Sequence, residues 1–133
     1  MATFPLKVMT IDHCFFEGDV DRIVVRTSQG DVGILPNHVP YIAALGIGAL
    51  IIIQNGEKRI AAIAGGFVDV TKEGTTILAL SCEWADEIDV NRANSAAERA
   101  RAAIQKKESE REYEVAQVKL KKALNRIRIA GDK

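Results

Sequence analysis

Apolar and polar positions along the chain follow one period up to Trp84 and another beyond it. In residues 4–11 the apolar side chains alternate, with Phe4, Leu6, Val8 and then Thr10 on one side, as expected of a strand with one face buried. Residues 12–18 make a turn and a short strand around Phe15 and Phe16, and residues 22–27 form a strand rich in Ile and Val. Ser28-Gln29-Gly30-Asp31 is a turn, after which residues 32–35 restart a strand. Pro36-Asn37-His38-Val39-Pro40 is a loop of restricted shape, because its two prolines remove donors and constrain the residues before them. Residues 46–54, 58–64, 67–70 and 75–80 continue as strands, separated by Asn55-Gly56, Gly65-Gly66 and Lys72-Glu73-Gly74. Asn-Gly between two apolar runs is a strong hairpin signal. Short strands punctuated this regularly predict an antiparallel β-sandwich or flattened barrel over residues 1–84.

From residue 85 onward the apolar spacing becomes helical. Ala93, Ala96, Ala97, Ala100, Ala103 and Ile104 fall on one face of a helix over residues 90–106, with Asp86, Glu87 and Asp89 available to cap its start. A second stripe runs through Tyr113, Ala116, Leu120, Ala123, Ile127 and Ala130, widened by Leu124, and predicts a helix over residues 113–129 that stops at Gly131. Residues 106–112 hold no apolar side chain. They read as the turn of an antiparallel helical hairpin spanning residues 85–133, or as polar helix within one long rod. The alanine face lets two helices approach closely while burying little area, so the hairpin is weakly held to itself and suits a moving part.

Charge sharpens this picture. The 133 residues carry 18 basic and 18 acidic side chains, and 47% of them are hydrophobic, which excludes wholesale disorder. Residues 83–98 hold five acids against one arginine, whereas residues 119–133 hold six bases against one acid. A balanced total argues against a free nucleic-acid binder, and the basic end of the second helix argues for a defined acidic partner. Cys14 and Cys82 are too few and too far apart for a metal cluster, and read as reduced, mostly buried residues. The longest apolar run, residues 43–53, is too short to span a bilayer, so any membrane association comes through a partner.

Catalytic chemistry has little to stand on. His13 and His38 lack acidic or cysteine neighbours at metal-ligand spacing, and the glycines at 30 and 33 lack the lysine and hydroxyl of a phosphate-binding loop. His38 is either packed between Pro36 and Pro40 or displayed with Leu35 and Asn37 to another protein. Asp89 and Arg92 are three apart at a helix start, and Arg99 lies two turns on; Lys122 and Arg126 share a face of the second helix. If the hairpin closes, one carboxylate and up to four cations converge. Such a set suits an adenine amino group and phosphates, or is a group of ordinary surface ion pairs.

Three stretches together resemble the epsilon subunit of bacterial F-type ATP synthase. They are Gly33-Ile34-Leu35-Pro36-Asn37-His38-Val39-Pro40, then Gly65-Gly66-Phe67, then Ile88-Asp89-Val90-Asn91-Arg92-Ala93 with Leu124-Asn125-Arg126-Ile127. The resemblance covers essentially the whole chain. It implies a non-catalytic subunit of the central stalk, peripheral at the cytoplasmic face of the bacterial cell membrane, with no required cofactor and no metal. It implies that the β unit binds the gamma subunit and the c-subunit ring, with Asp31 and His38 at the ring edge. The hairpin is implied to extend toward the alpha and beta subunits of the catalytic head and restrain ATP hydrolysis. Lys119, Lys121 and Arg128 on the second helix are then candidate contacts for the acidic surface of beta. In several bacterial members the closed hairpin binds ATP as a regulatory ligand. Carried over position by position, that site comprises Asp89, Arg92, Arg99, Lys122 and Arg126, with Glu83 and Ile88 as less certain members. Position 122 departs from ATP-binding relatives, which have arginine there; lysine supplies a point charge in place of a planar fork. The competing reading is a stand-alone nucleotide- or RNA-binding module with a basic helix, although only Tyr113 offers a stacking surface.

Overall fold

The computed structural model describes residues 2–131 and divides the chain into two compact units, Met1–Trp84 and Ala85–Lys133. The first unit is all strand: β1 (Phe4–Met9), β2 (Cys14–Val20), β3 (Arg22–Thr27), β4 (Gly30–Ile34), β5 (Tyr41–Gln54), β6 (Glu57–Thr71) and β7 (Gly74–Trp84). They form one sheet in the order β2-β1-β7-β6-β5-β3-β4. All neighbours are antiparallel except β1 and β7, which run parallel from Leu6↔Thr75 to Met9↔Leu78. That pair lies far apart in sequence, so no tight turn dictates its direction.

Connectivity requires this sheet to curl. β2 is an edge strand and β3 lies next to the opposite edge, five strand spacings away, which would be about 24 Å in a flat sheet. Only Asp21 separates them, and one residue bridges no more than about 7 Å. The sheet therefore folds over until its ends meet. Asp21 N donates to the Ile53 carbonyl at 2.8 Å, and Gln54 Nε2 donates to the Asp19 carbonyl at 2.9 Å. The core lies between the two layers and includes Leu6, Val8, Val20, Ile23, Val25, Ile34, Leu50, Ile52, Ile63, Val68 and Ile77.

The three long strands make the bend together. In β5 the inward set is Tyr41, Ala43 and Leu45, then Leu50 and Ile52; in β6 it is Ala61 and Ile63, then Val68 and Val70; in β7 it is Ile77 and Ala79, then Cys82 and Trp84. Each strand switches from odd to even positions, or the reverse, at the same level of the sheet. Gly65 and Gly66 are the switch in β6, with φ of 79° and 116°. A Cβ on Gly66 would stand 1.9 Å from the Leu78 carbonyl oxygen, so only glycine fits that approach. The sequence pattern predicts a break between two strands here. The chain instead continues through a bend in a 15-residue strand, because the glycines reset the phase without ending the ladder. For the same reason β5 starts at Tyr41, five residues earlier than its later alternation predicts. Asn55-Gly56 is the expected two-residue turn, with φ of 53° and 78° and Gln54 paired to Glu57.

Trp84 closes the first unit. Its ring stacks on Phe15 at 4.4 Å, meets the edge of Phe16, and carries the Arg59 guanidinium 3.7 Å from its centroid. Cys82 is partly buried, but Cys14 is exposed, which corrects the expectation of two mostly buried thiols; both are free. Cys14 sits at the start of β2, beside the β1–β2 turn, where the ladder shifts register between Val8 and Met9 and Cys14 leaves the inward set of Phe16 and Val20.

The second unit begins with a single 3-10 turn, Ala85–Glu87, followed by α1 (Val90–Lys106) and α2 (Glu110–Gly131). The turn is therefore only three residues long, and α2 starts before Tyr113. Two caps set those limits. Lys107 adopts a left-handed conformation and donates its N–H to the Ala103 carbonyl, while Ser109 Oγ accepts from Glu112 N at 3.1 Å. Ser109 and Glu112 have the spacing of a capping box, so polar residues 110–112 join the helix. Helix α2 also runs through Gly131 instead of stopping before it. Ala93, Ala97 and Ala100 on α1 and Ala116, Ala123 and Ala130 on α2 are buried, whereas Leu124 is 42% exposed and Ile129 and Asn125 are buried in its place.

Candidate functional site

Within the hairpin, the small side chains leave an open groove between the helices of about 720 Å³, within the range of small-molecule sites. Its floor is Ala96, Ala100 and Ala103 from α1 with Ala116 and Ala123 from α2. A methyl-lined seam of this kind brings two helix backbones together and cannot fill the space above them. Arg99 lines the groove from α1, and Arg111, Lys119, Lys122 and Arg126 line it from α2. On a helix of 3.6 residues per turn those four α2 positions fall within a strip about 80° wide. Among the described residues, Glu112 is the one carboxylate in the lining. Cations thus ring an apolar floor, an arrangement suited to an anion with a flat, weakly polar body.

The structure brings Arg99, Lys122 and Arg126 to one groove and adds two cations, Arg111 and Lys119, that the motif does not include. Lys119, expected at a protein partner, lines the groove. Asp89 and Arg92 are outside its lining, at the start of α1. The Asp89 carboxylate is the N-cap of that helix, accepting from Arg92 N at 3.1 Å. That role answers the backbone donors left over in the first turn. Ile88 is half-buried just before the cap, with its N–H directed to the Ala85 carbonyl at 3.4 Å. Glu83 lies on β7 in the first unit. Lys121 and Arg128 are exposed on α2, and Arg128 donates to Asn125 Oδ1 at 2.9 Å.

On the β unit, Asp31 is held by Arg26, whose Nε donates to its carboxylate at 2.6 Å. That hydrogen bond, and then the charge behind it, makes Arg26 hold its proton more firmly than usual. His38 is half-buried, its ring edge-on to Tyr41 at 6.0 Å and its Nδ1 2.8 Å from the Val39 carbonyl. Tyr41 and the Val39 carbonyl orient the ring. The loop carries Leu35 at 57% and Val39 at 70% exposure. It lines a hollow of about 430 Å³ with Thr3, Phe4 and the β6–β7 turn. A separate apolar patch lies on the outer sheet face, where Phe67 and Leu78 are paired neighbours and both more than half exposed. The phase switch at Gly65-Gly66 is what turns Phe67 outward.

His13 takes part in a turn. Its Nδ1 is 2.8 Å from Asp12 Oδ1, and Thr10 Oγ1 donates to the same oxygen at 2.9 Å. The bond from His13, then that from Thr10, holds the Asp12 carboxyl below its ordinary range. Burial pushes the Cys82 thiol up to about 12, the opposite of an activated nucleophile. Among the described residues no cluster of His, Cys, Asp and Glu could hold a metal ion, and no helix is long and apolar enough to cross a membrane.

Comparison with known proteins agrees with this two-part layout. Residues 3–85 match the family "ATP synthase, Delta/Epsilon chain, beta-sandwich domain", and residues 86–131 match its "long alpha-helix domain". The chain is 43% identical over 130 residues to the ATP synthase epsilon chain of Caldanaerobacter subterraneus subsp. tengcongensis, covering 97% of this chain and 94% of the relative. It is 43% identical over 132 residues to that of Caldicellulosiruptor bescii, covering 99% and 96%. A chain of the Euglena gracilis mitochondrial ATP synthase superposes with a TM-score of 0.84 at 26% identity, covering 94% of this chain and 79% of that one. A chain of the Tetrahymena thermophila enzyme shares the fold, with a TM-score of 0.68 at 15% identity. A strand unit bent at a double glycine, an alanine-seamed helical hairpin and matches along almost the full chain have one common explanation: this protein belongs to the delta/epsilon chain family of F-type ATP synthase, a family of non-catalytic subunits.

Proposed function

We propose that the chain works in the central stalk of a rotary ATP synthase, with the β unit as anchor and the helical hairpin as a ligand-biased arm. The β unit binds the gamma subunit and the c-subunit ring. The exposed Phe67–Leu78 patch supports an apolar docking face. The Leu35–Pro40 loop with His38, together with Asp31 on β4, supports a second contact at the ring. Attachment to those partners keeps the protein peripheral, at the cytoplasmic face of the bacterial cell membrane.

The observation that carries the regulatory half is the groove of the closed hairpin, with Arg99, Lys122 and Arg126 around a floor of alanines. ATP sits there with its phosphates against the cations, while Asp89, Arg92 and Ile88 at the start of α1 contribute toward the base end. The bound ATP acts as a regulatory ligand and is not hydrolysed there, as befits a family of non-catalytic subunits. Bound ATP favours the closed hairpin only by its preference for that form. An alanine seam makes this preference decisive: each buried methylene-sized group stabilises by about 0.8 kcal/mol, against about 1.5–3 for a whole Leu or Ile in the β core. When ATP is scarce the arm extends, and Lys119, Lys121 and Arg128 meet an acidic surface of the alpha and beta subunits. Hydrolysis is then restrained.

The test is the steady-state ATP hydrolysis rate of the reconstituted complex across ATP concentration, with the full chain or with residues 88–133 deleted. Deletion is expected to raise the rate at low ATP while assembly stays intact. An unchanged rate at every ATP level would make the arm structural only.

A further inference from the structure

Lys119 has no place in the motif-derived nucleotide site, yet its side chain lines the groove together with Lys122 and Arg126. It lies one turn from Lys122, on the turn side. Lys119, Lys122 and Arg126 span about 10 Å along one strip of α2, the scale of a phosphate tail with its ribose. Arg99 faces the same stretch from α1. In the reading proposed above, the base end of the nucleotide lies toward the start of α1, where Asp89 and Arg92 are, so its tail runs toward the hairpin turn. The cations then follow in order: Arg126, Lys122 and Lys119. Arg111 is two turns further on, about 12 Å beyond Lys119, too far for the same tail. Lys119 is exposed and, among the described residues, makes no salt bridge, so its ammonium costs little to direct at a ligand.

From this placement we infer that Lys119 is the specificity-determining residue for the terminal phosphate, distinguishing a nucleoside triphosphate from a diphosphate. The inference rests on the reading of the groove as a nucleotide site. It separates Lys119 from Lys121, which shares the basic surface but is not in the groove lining. A charged hydrogen bond to the terminal phosphate should make ATP bind about tenfold to a hundredfold more tightly than ADP.

Calorimetry on the full chain tests this with ATP and ADP as ligands, using Lys119→Gln, Lys119→Arg and Lys121→Gln. Lys119→Gln should remove most of the ATP-over-ADP preference with little change for ADP. Lys119→Arg should retain the preference, and Lys121→Gln should leave both affinities unchanged. If Lys119→Gln keeps the ratio of the unmodified chain, Lys119 does not read the terminal phosphate, although the nucleotide site itself stands. If the unmodified chain binds neither nucleotide at millimolar concentration, the site and the inference fall together.

Discussion

Gly66→Ala probes the bend on which the β unit depends. Two costs arise from one added methyl. Alanine at φ of 116° occupies a region that L-residues avoid, at about 1–3 kcal/mol. Its Cβ would also stand 1.9 Å from the Leu78 carbonyl oxygen and 2.9 Å from Ala79 Cα. Those atoms are backbone, so relief requires moving β6 away from β7, and forced repacking of this kind costs about 1–3 kcal/mol. The expected destabilisation is about 2–6 kcal/mol, a large share of the roughly 5–15 kcal/mol available to a folded domain. Urea unfolding followed by Trp84 fluorescence reads it directly. Trp84 is the single tryptophan and stacks on Phe15 inside the same unit. With a slope of about 1 kcal/mol per molar urea for a small domain, the midpoint should fall by at least about 2 M. Gly33→Ala is the control: it sits in β4 with nothing within 4 Å of an added Cβ and no positive φ, and should shift the midpoint little. A Gly66→Ala midpoint within experimental error of the unmodified chain would refute the bend as described.

Asp89 has two assigned roles that substitutions can separate. Asp89→Ala removes the α1 cap and should lower helix stability by about 0.5–2 kcal/mol even without nucleotide, whereas Asn caps comparably well; a thermal melt of the helical circular dichroism signal that treats the two variants alike would contradict the cap. The thiols should also differ: a maleimide at pH 7 should label exposed Cys14 and spare Cys82 until denaturant is added. With the Cys82 pKa raised from 9.0 to about 12, folding favours the neutral thiol. Its contribution is complete below pH 9 and is lost as pH rises from there toward 12. Equal native labelling of both cysteines would show that β7 opens readily.

The local signals that sequence carries are those confined to a few neighbouring residues. Alternation fixed the β unit, Asn55-Gly56 fixed a hairpin turn, and the change of period after Trp84 placed the boundary between strand and helix. Gly65-Gly66 was visible but ambiguous: two glycines relieve the same backbone restrictions in a turn and in a bend. Only the pairing of β6 with β5 and β7 on both sides decided between them. The parallel β1–β7 pair and the curl of the sheet were likewise outside local reach, because both arise from which distant strands become neighbours. The helical stripe identified Ala116, Ala123 and Ala130, yet Leu124 and Ile129 exchanged roles, since hydrophobicity alone does not fix the azimuth of a helix whose seam is alanine. Charges at 99, 122 and 126 could be placed on helix faces from their spacing. That Lys119 shares their groove while Asp89 and Arg92 do not line it depended on how two helices pack across a short turn, a distance that spacing along one helix does not contain.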